Sequence, residues 1–301
     1  MAFEITFLGT SSMVPTKDRN VQSIYVEYKG EGILIDCGEG TQRQMNIANI
    51  NRLKVRKILI THWHGDHVSG LIGLIQTIGN TEEPKLLTII GPEGTKKYME
   101  HTLKSCAFDL QIDLNIEEHP VKEKTNIYEN EDYYIEAAPM EHGIPCNAYS
   151  IVEKDKRKID LKKLEEKGLK QGPKIGKLQR GETINYEGKK IKPEEVSHIE
   201  QGKKISFILD TLQNSNCEEI ARNADLLICE ATYASDKENK AEEYNHMTAE
   251  QAAIIANNAD VKKLVLTHFS QRYKSVQDLQ EEAKQTYPNT TMAYDFLKTR
   301  L

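Results

Sequence analysis

The apolar residues of this chain arrive in short bursts, at residues 5–8, 33–35, 57–60, 86–90, 133–137, 205–209, 226–229 and 263–266, bounded by Gly, Asp or Thr. Bursts of about four or five residues suit buried strands, whereas a helix needs about ten. Between several of them lie helix-like stretches at 41–50, 69–78, 95–103, 249–258 and 275–286. The fourth opens on Thr248 and carries Gln251 three residues later, the pattern of a reciprocal capping box. Strands and helices alternate through both halves, which predicts an α/β fold whose strands are covered by helices.

The 301 residues leave room for two domains or one large one, and 38% hydrophobic with 29% charged residues is enough for a core and too ordered a mixture for general disorder. Five Cys with no C-x-x-C pair point to free thiols in a reducing compartment and exclude a disulfide scaffold or zinc ribbon. No apolar run approaches the ~18 residues of a membrane span, and the start, MAFEITFLG, lacks a basic segment followed by a long apolar one. The expectation is a soluble, cytoplasmic protein with no membrane partner. The net charge of −6 hides an asymmetry, because residues 154–192 carry fourteen Lys/Arg against six Asp/Glu, a local +8, while the remainder stands at −14. This Gly-rich stretch has few large apolar residues, so it should add little core and protrude as an arm or long hairpin. Positive charge gathered in one place on an acidic chain suits a polyanionic partner, although a solvated charged loop is the plainer account of a charge run alone.

The sharpest motif is His62-Trp63-His64-Gly65-Asp66-His67, directly after the burst at 57–60. In extended backbone, residues two apart share a face, so His62 and His64 can meet on one cation, and as the chain turns Asp66 and His67 face a second position. With nine His and fourteen Asp in the chain, a chance match is on the order of one in a few thousand sequences of this composition. Asp210 and His268 each follow an apolar burst, where α/β proteins place their sites, and His142 sits in a turn-like Glu-His-Gly-Ile-Pro segment. These five imidazoles and two carboxylates suit zinc and tolerate manganese or iron. A sensible division gives His62, His64 and His142 to one ion and Asp66, His67 and His268 to another, with Asp210 bridging. Two ions about 3.5–4 Å apart form a clamp for in-line displacement at phosphorus.

On these residues the chain resembles the short-form ribonuclease Z (tRNase Z) family of the metallo-β-lactamase superfamily. Four further matches narrow the likeness beyond the superfamily motif. They are Pro15-Thr16-Lys17-Asp18-Arg19-Asn20, the pair Cys229-Glu230-Ala231-Thr232 and His246-Met247-Thr248, a Gly172-Pro173 arm at 169–181, and the segment from Leu266 to Tyr273 around the last ligand. Leu209, where Gly is common, and Met247, in place of Ser, depart from the family without altering a ligand. The resemblance implies one metallo-β-lactamase-like αβ/βα sandwich over 1–301 with an inserted basic tRNA-binding arm at about 154–192. It also implies two zinc ions per subunit, a homodimer, and removal of the 3′ trailer from precursor tRNA to leave a 3′-hydroxyl and a 5′-phosphate.

The same resemblance suggests roles for single residues. Asp66 would orient the attacking water, and His246, before the capped helix and not needed for metal, would protonate the leaving 3′-oxygen with Glu230 holding it. Asp36, ending another burst, would fix a ligand histidine, with a plain turn carboxylate as the alternative. Substrate contacts would come from Lys17 and Arg19, from Lys174, Lys177 and Arg180 on the arm, and from Arg272 and Tyr273. Cys37 and Cys229 read as small core residues. His101, His119 and His198 have no evident partner. Two rivals stand beside this reading: a superfamily hydrolase of small phosphodiesters or sulfate esters, and a non-catalytic RNA-binding module with a structural metal.

Overall fold

The computed structural model describes residues 2–81, 86–170 and 172–301. Two seven-stranded sheets dominate it. The first runs in the order Lys298–Arg300, Glu4–Gly9, Ser23–Tyr28, Glu31–Ile35, Val55–Leu59, Leu87–Gly91 and Leu114–Glu118. The second runs Thr290–Met292, Leu264–Thr267, Leu226–Glu230, Lys204–Ile208, Pro145–Glu153, Tyr133–Glu141 and Thr125–Glu129. Parallel pairs form one half of each sheet and reach its edge, from Glu31–Ile35 to Leu114–Glu118 in one and from Lys204–Ile208 to Thr290–Met292 in the other.

Helices pack on one face of each sheet. Ile58, Ile60 and Ile89 share a buried cluster with Leu71, Leu74 and Ile75 of the helix Leu71–Gly79, and Leu227, Cys229 and Leu266 share another with Ala252, Ala253 and Ala256 of the helix Ala249–Asn258. The alternate residues of the same strands, among them Leu59, Ile90, Phe207, Ile228 and Val265, are also buried. Hydrogen bonds from Tyr149 Oη to the Ile60 carbonyl (2.7 Å) and from Asn147 N–H to the Thr61 carbonyl (2.9 Å) join sheet to sheet. The result is the expected αβ/βα sandwich, a parallel arrangement buried on both faces.

The eight expected strands and five expected helices are present with small shifts at their ends, and the capping box of Thr248 and Gln251 is closed in both directions. Strands Leu114–Glu118 and Thr125–Glu129 are interrupted by polar residues and make no apolar burst, and Ser23–Tyr28, although buried, carries Ser, Glu and two Tyr. Cys37 and Cys229 are wholly buried, as a core reading requires. Among the described residues no helix is long and apolar enough to cross a membrane.

The chain divides into two units. One comprises Met1–Tyr128, Ile135–Ile151 and Lys204–Leu301, and the other comprises Glu129–Tyr134 and Val152–Lys203. The second contains the basic stretch, which has a small core of its own. Lys156–Ile159 pairs with Ser197–Glu200, Ile184–Tyr186 pairs with Lys189–Ile191, and the helices Leu161–Glu166 and Pro173–Gln179 complete a small fold. Leu164, Leu169, Leu178, Ile184, Ile191 and Val196 form its private core. These residues are too widely spaced along the chain to form a burst, so only their tertiary convergence reveals them. Gln171, within this stretch, lies outside the described residues. Part of the positive charge is balanced locally, by Lys158–Glu200 (2.6 Å) and Arg180–Glu182 (3.0 Å). Lys162, Lys170, Lys177, Lys189 and Lys190 have no ion pair among the described residues.

Candidate metal centre

The site is built at the carboxyl ends of parallel strands. Asp36 follows Glu31–Ile35, His62 follows Val55–Leu59 within three residues, Asp210 follows Lys204–Ile208, Glu230 closes Leu226–Glu230 and His268 follows Leu264–Thr267. Asp36, Asp210 and His268 hold left-handed backbone, with φ of 60°, 31° and 60°. Strain of this kind persists where surrounding structure demands it, and here it turns three polar side chains back over the strand ends. The short helix Gly65–Val68 then carries Asp66 and His67 round to the same place.

Ring nitrogens converge closely. His62 Nε2 lies 3.0 Å from His64 Nδ1, and His142 Nε2 lies 3.1 Å from the same atom. Asp66 Oδ2 stands 3.4 Å from His67 Nε2 and 3.7 Å from His268 Nε2. Asp210 touches both sets: its Oδ2 is 3.7 Å from His62 Nε2, 3.5 Å from His142 Nε2 and 3.5 Å from His67 Nε2, while its Oδ1 is 3.1 Å from His268 Nε2. All seven side chains expected from the sequence are thus brought together.

The opposite ring nitrogens explain the orientation. His67 Nδ1 donates to Asp36 Oδ2 (2.6 Å) and His142 Nδ1 to the Asn245 carbonyl (2.8 Å). Two threonines settle the other pair. Thr61 Oγ1 gives its only proton to Asp36 Oδ2 (2.8 Å), so it must accept from His62 Nδ1 (3.1 Å). Thr232 Oγ1 likewise donates to Glu230 Oε2 (2.6 Å) and is left to accept from His268 Nδ1 (3.1 Å). Four imidazoles therefore present bare Nε2 atoms to one another, and His64 presents Nδ1. Thr61, Thr232 and the Asn245 carbonyl had no signal as orienting groups, because a lone threonine or a main-chain oxygen carries no pattern.

Bare lone pairs facing each other need a cation between them. His67 Nε2, His268 Nε2 and Asp210 Oδ1 are buried with no hydrogen-bond partner, a cost that proteins seldom leave uncompensated. Burial alone would lower the pKa of His67, yet Asp210, Asp66 and Asp36 pull it well above the ordinary histidine value, so the pocket is short of positive charge. Among the described residues, five groupings of three such side chains have donor atoms within 4.8 Å of one another, including His62–His64–His142 and Asp66–His67–His268. The donor set, imidazole and carboxylate without thiolate, fits divalent cations such as zinc.

Beside this cluster His246 Nδ1 lies 3.1 and 3.2 Å from the two Glu230 oxygens, and Glu230 Oε1 also accepts the Thr211 N–H (2.7 Å). Burial works against a charged His246, but Glu230 and Asp210 outweigh it and raise its pKa to about 9. Asp66 Oδ2 accepts the backbone N–H of Met13 (2.7 Å), a residue itself at φ 61°. His64, Asp66, His142, Asp210 and His246 open into a cavity of about 940 Å³, whose far wall includes Tyr233 and Arg272.

Not every expected contact residue lines it. Arg19 turns inward, its Nη2 donating to the carbonyls of Ser270 (3.3 Å) and Tyr273 (2.7 Å). The Tyr273 hydroxyl accepts the Ala234 N–H (2.9 Å). Both residues buttress the loop that bears Arg272. Lys17 is exposed and absent from the cavity wall, and Lys174 lies over the Tyr186 ring at 5.0 Å within the second unit. Lys177 and Arg180 are exposed on that unit.

Comparison with known proteins follows from this geometry. A family model described as Anti-Pycsar protein Apyc1 matches residues 3–159, a span that holds His62 to His142 but stops before Asp210, His246 and His268. Ribonuclease Z of Methanothermobacter thermautotrophicus is 42% identical over 98% of this chain and 95% of its own length. The short form of human tRNase Z superposes with a TM-score of 0.72 at 27% identity, covering 98% of both chains. A metallo-beta-lactamase fold protein of Bacillus subtilis, at 16% identity and a TM-score of 0.70, shares the fold. Likeness that extends through both halves of the ligand set, and over nearly the full length of its relatives, places this chain in the ribonuclease Z family.

Proposed function

We propose that this chain is a metal-dependent endoribonuclease that cuts the 3′ trailer from precursor tRNA, leaving a 3′-hydroxyl on the tRNA and a 5′-phosphate on the trailer. The observation that carries the reading is the convergence of seven ligand side chains, all but His64 buried or half-buried, beside the His246–Glu230 pair, in a chain so similar to ribonuclease Z. His62, His64 and His142 would hold one zinc ion, Asp66, His67 and His268 a second, and Asp210 would bridge, with manganese or iron able to substitute. Such a pair supplies Lewis-acid charge for a phosphodiester and a water acidic enough to attack near neutral pH.

The chain's own groups do the rest. Asp66, held by the Met13 N–H, orients the attacking water and takes up its proton. His246, kept protonated and aimed by Glu230, gives its proton to the departing 3′-oxygen, which is a poor leaving group without it. The basic second unit binds the tRNA body through phosphates, the active assembly is a homodimer, and the enzyme works in the cytoplasm. A 3′-extended tRNA transcript incubated with the purified protein should yield one cut after the discriminator base, abolished by chelator and restored by zinc. Cleavage indifferent to chelator would exclude the reading.

Removing Lys158–Lys190 separates this proposal from a hydrolase of small phosphodiesters. The truncated chain should lose precursor cleavage, and the salt-steep tRNA affinity that Lys/Arg–phosphate contacts produce, while a small activated phosphodiester is still hydrolysed. Equal loss of both activities would favour the rival.

A further inference from the structure

Arg272 is an exposed cation at the rim of the metal cavity, and the structure leaves its outward side unused. Its Cζ lies 5.0 Å from the centroid of the Tyr233 ring, a cation–π distance, and its Nε donates to Ser270 Oγ at 3.1 Å. Tyr233 is only 6% exposed, so the ring is a fixed floor beneath the guanidinium. Arg19 and Tyr273 brace the same loop from behind. Among the described residues no carboxylate pairs with Arg272, and its Nη atoms have no hydrogen-bond partner. A planar cation is thus held on one side by an aromatic ring and a hydroxyl while remaining exposed at the cavity wall.

An arginine needed only for phosphate charge would gain little from being held over a buried ring. A flat, fixed guanidinium is the surface on which unpaired RNA bases stack. The centroids of the Tyr233 and His246 rings are 6.2 Å apart, which puts this seat next to the group that serves the departing 3′-oxygen. We infer that Arg272, supported by Tyr233, is a stacking seat for the nucleobase on the tRNA side of the scissile phosphate. The seat grips the last unpaired base retained by the tRNA and so sets which phosphodiester enters the metal site. Arg272 is the contact residue and Tyr233 the positioning residue. This inference rests on the trailer-cutting reading above.

The test is Arg272→Lys, which keeps the charge and loses the plane. On an intact precursor its kcat/KM should fall about ten-fold or more, the scale of one lost stacking contact. On a precursor with an abasic ribose at that nucleotide the variant and the parent should differ less than about two-fold, because the partner base is already gone. With 2-aminopurine at the same position, binding to the chelated, metal-free parent should quench its fluorescence, and binding to Arg272→Lys should quench it much less. An equal fall on intact and abasic precursors would reduce Arg272 to a phosphate contact and overturn the inference, as would unchanged kinetics or unchanged quenching. A parent protein that binds the precursor but never cuts it would instead sink the underlying reading, which the gel assay reports separately.

Discussion

His246→Ala slows precursor cleavage by about 10²–10⁴-fold, the usual worth of a positioned proton donor, with metal content and tRNA affinity close to those of the parent. The asymmetry follows from the contacts. His246 Nδ1 is taken by Glu230 at 3.1 Å, and the buried atoms of the cluster left without partners belong to His67, His268 and Asp210, not to His246. Single-turnover cleavage on a gel, alongside elemental analysis and a tRNA binding isotherm, checks all three parts. A wild-type rate would remove His246 as the acid. A loss of one metal per chain would make it a ligand beside Asp210, whose Oδ2 lies 3.9 Å from its Nδ1. Glu230→Gln is the companion variant, since it keeps the shape and removes the charge that holds the imidazole cationic.

Asp210→Asn has the second large effect. Asp210 is 2% exposed and lies within 3.7 Å of Nε2 of His62, His67, His142 and His268, so among the described residues its two oxygens are the carboxylate contact common to both halves of the cluster. The amide cannot bridge two cations as an anion does. Bound metal should therefore fall from about two ions per chain to about one or fewer. Cleavage should drop at least about a thousand-fold, since a metal supplies several kcal/mol to the transition state and each 1.36 kcal/mol is a decade. Elemental analysis with kinetics decides the matter, and full metal loading with parental activity would refute the bridging assignment. The fold should survive, because Asp210 sits just past a strand end and is no part of the apolar cluster that holds Ile208 and Cys229.

The strand-and-helix order was legible because local periodicity reports which residues share a face, and five-residue apolar strands with capped helices between them leave little choice of layer architecture. Edge strands such as Thr125–Glu129 were illegible for the same reason: half their residues face water, and the burst disappears. The basic stretch was legible in charge and not in form, since Leu164, Leu178 and Ile191 become a core only when the chain folds back on itself.

The ligand residues themselves were in the sequence. The spacing of His62, His64, Asp66 and His67 is a local matter of extended backbone and one helical turn, and Asp210 and His268 announce themselves at strand ends. What only the tertiary structure decided is which nitrogen each ring turns inward and what each basic residue at the rim is for. Asp36 reaches His67 across 31 residues, Thr232 reaches His268 across 36 and His142 reaches the Asn245 carbonyl across 103. Arg19, expected from its motif at the substrate, braces the loop that carries Arg272. A hydrogen bond depends on position in space to a few tenths of an ångström, and separation along the chain carries no such information until the sheets have closed.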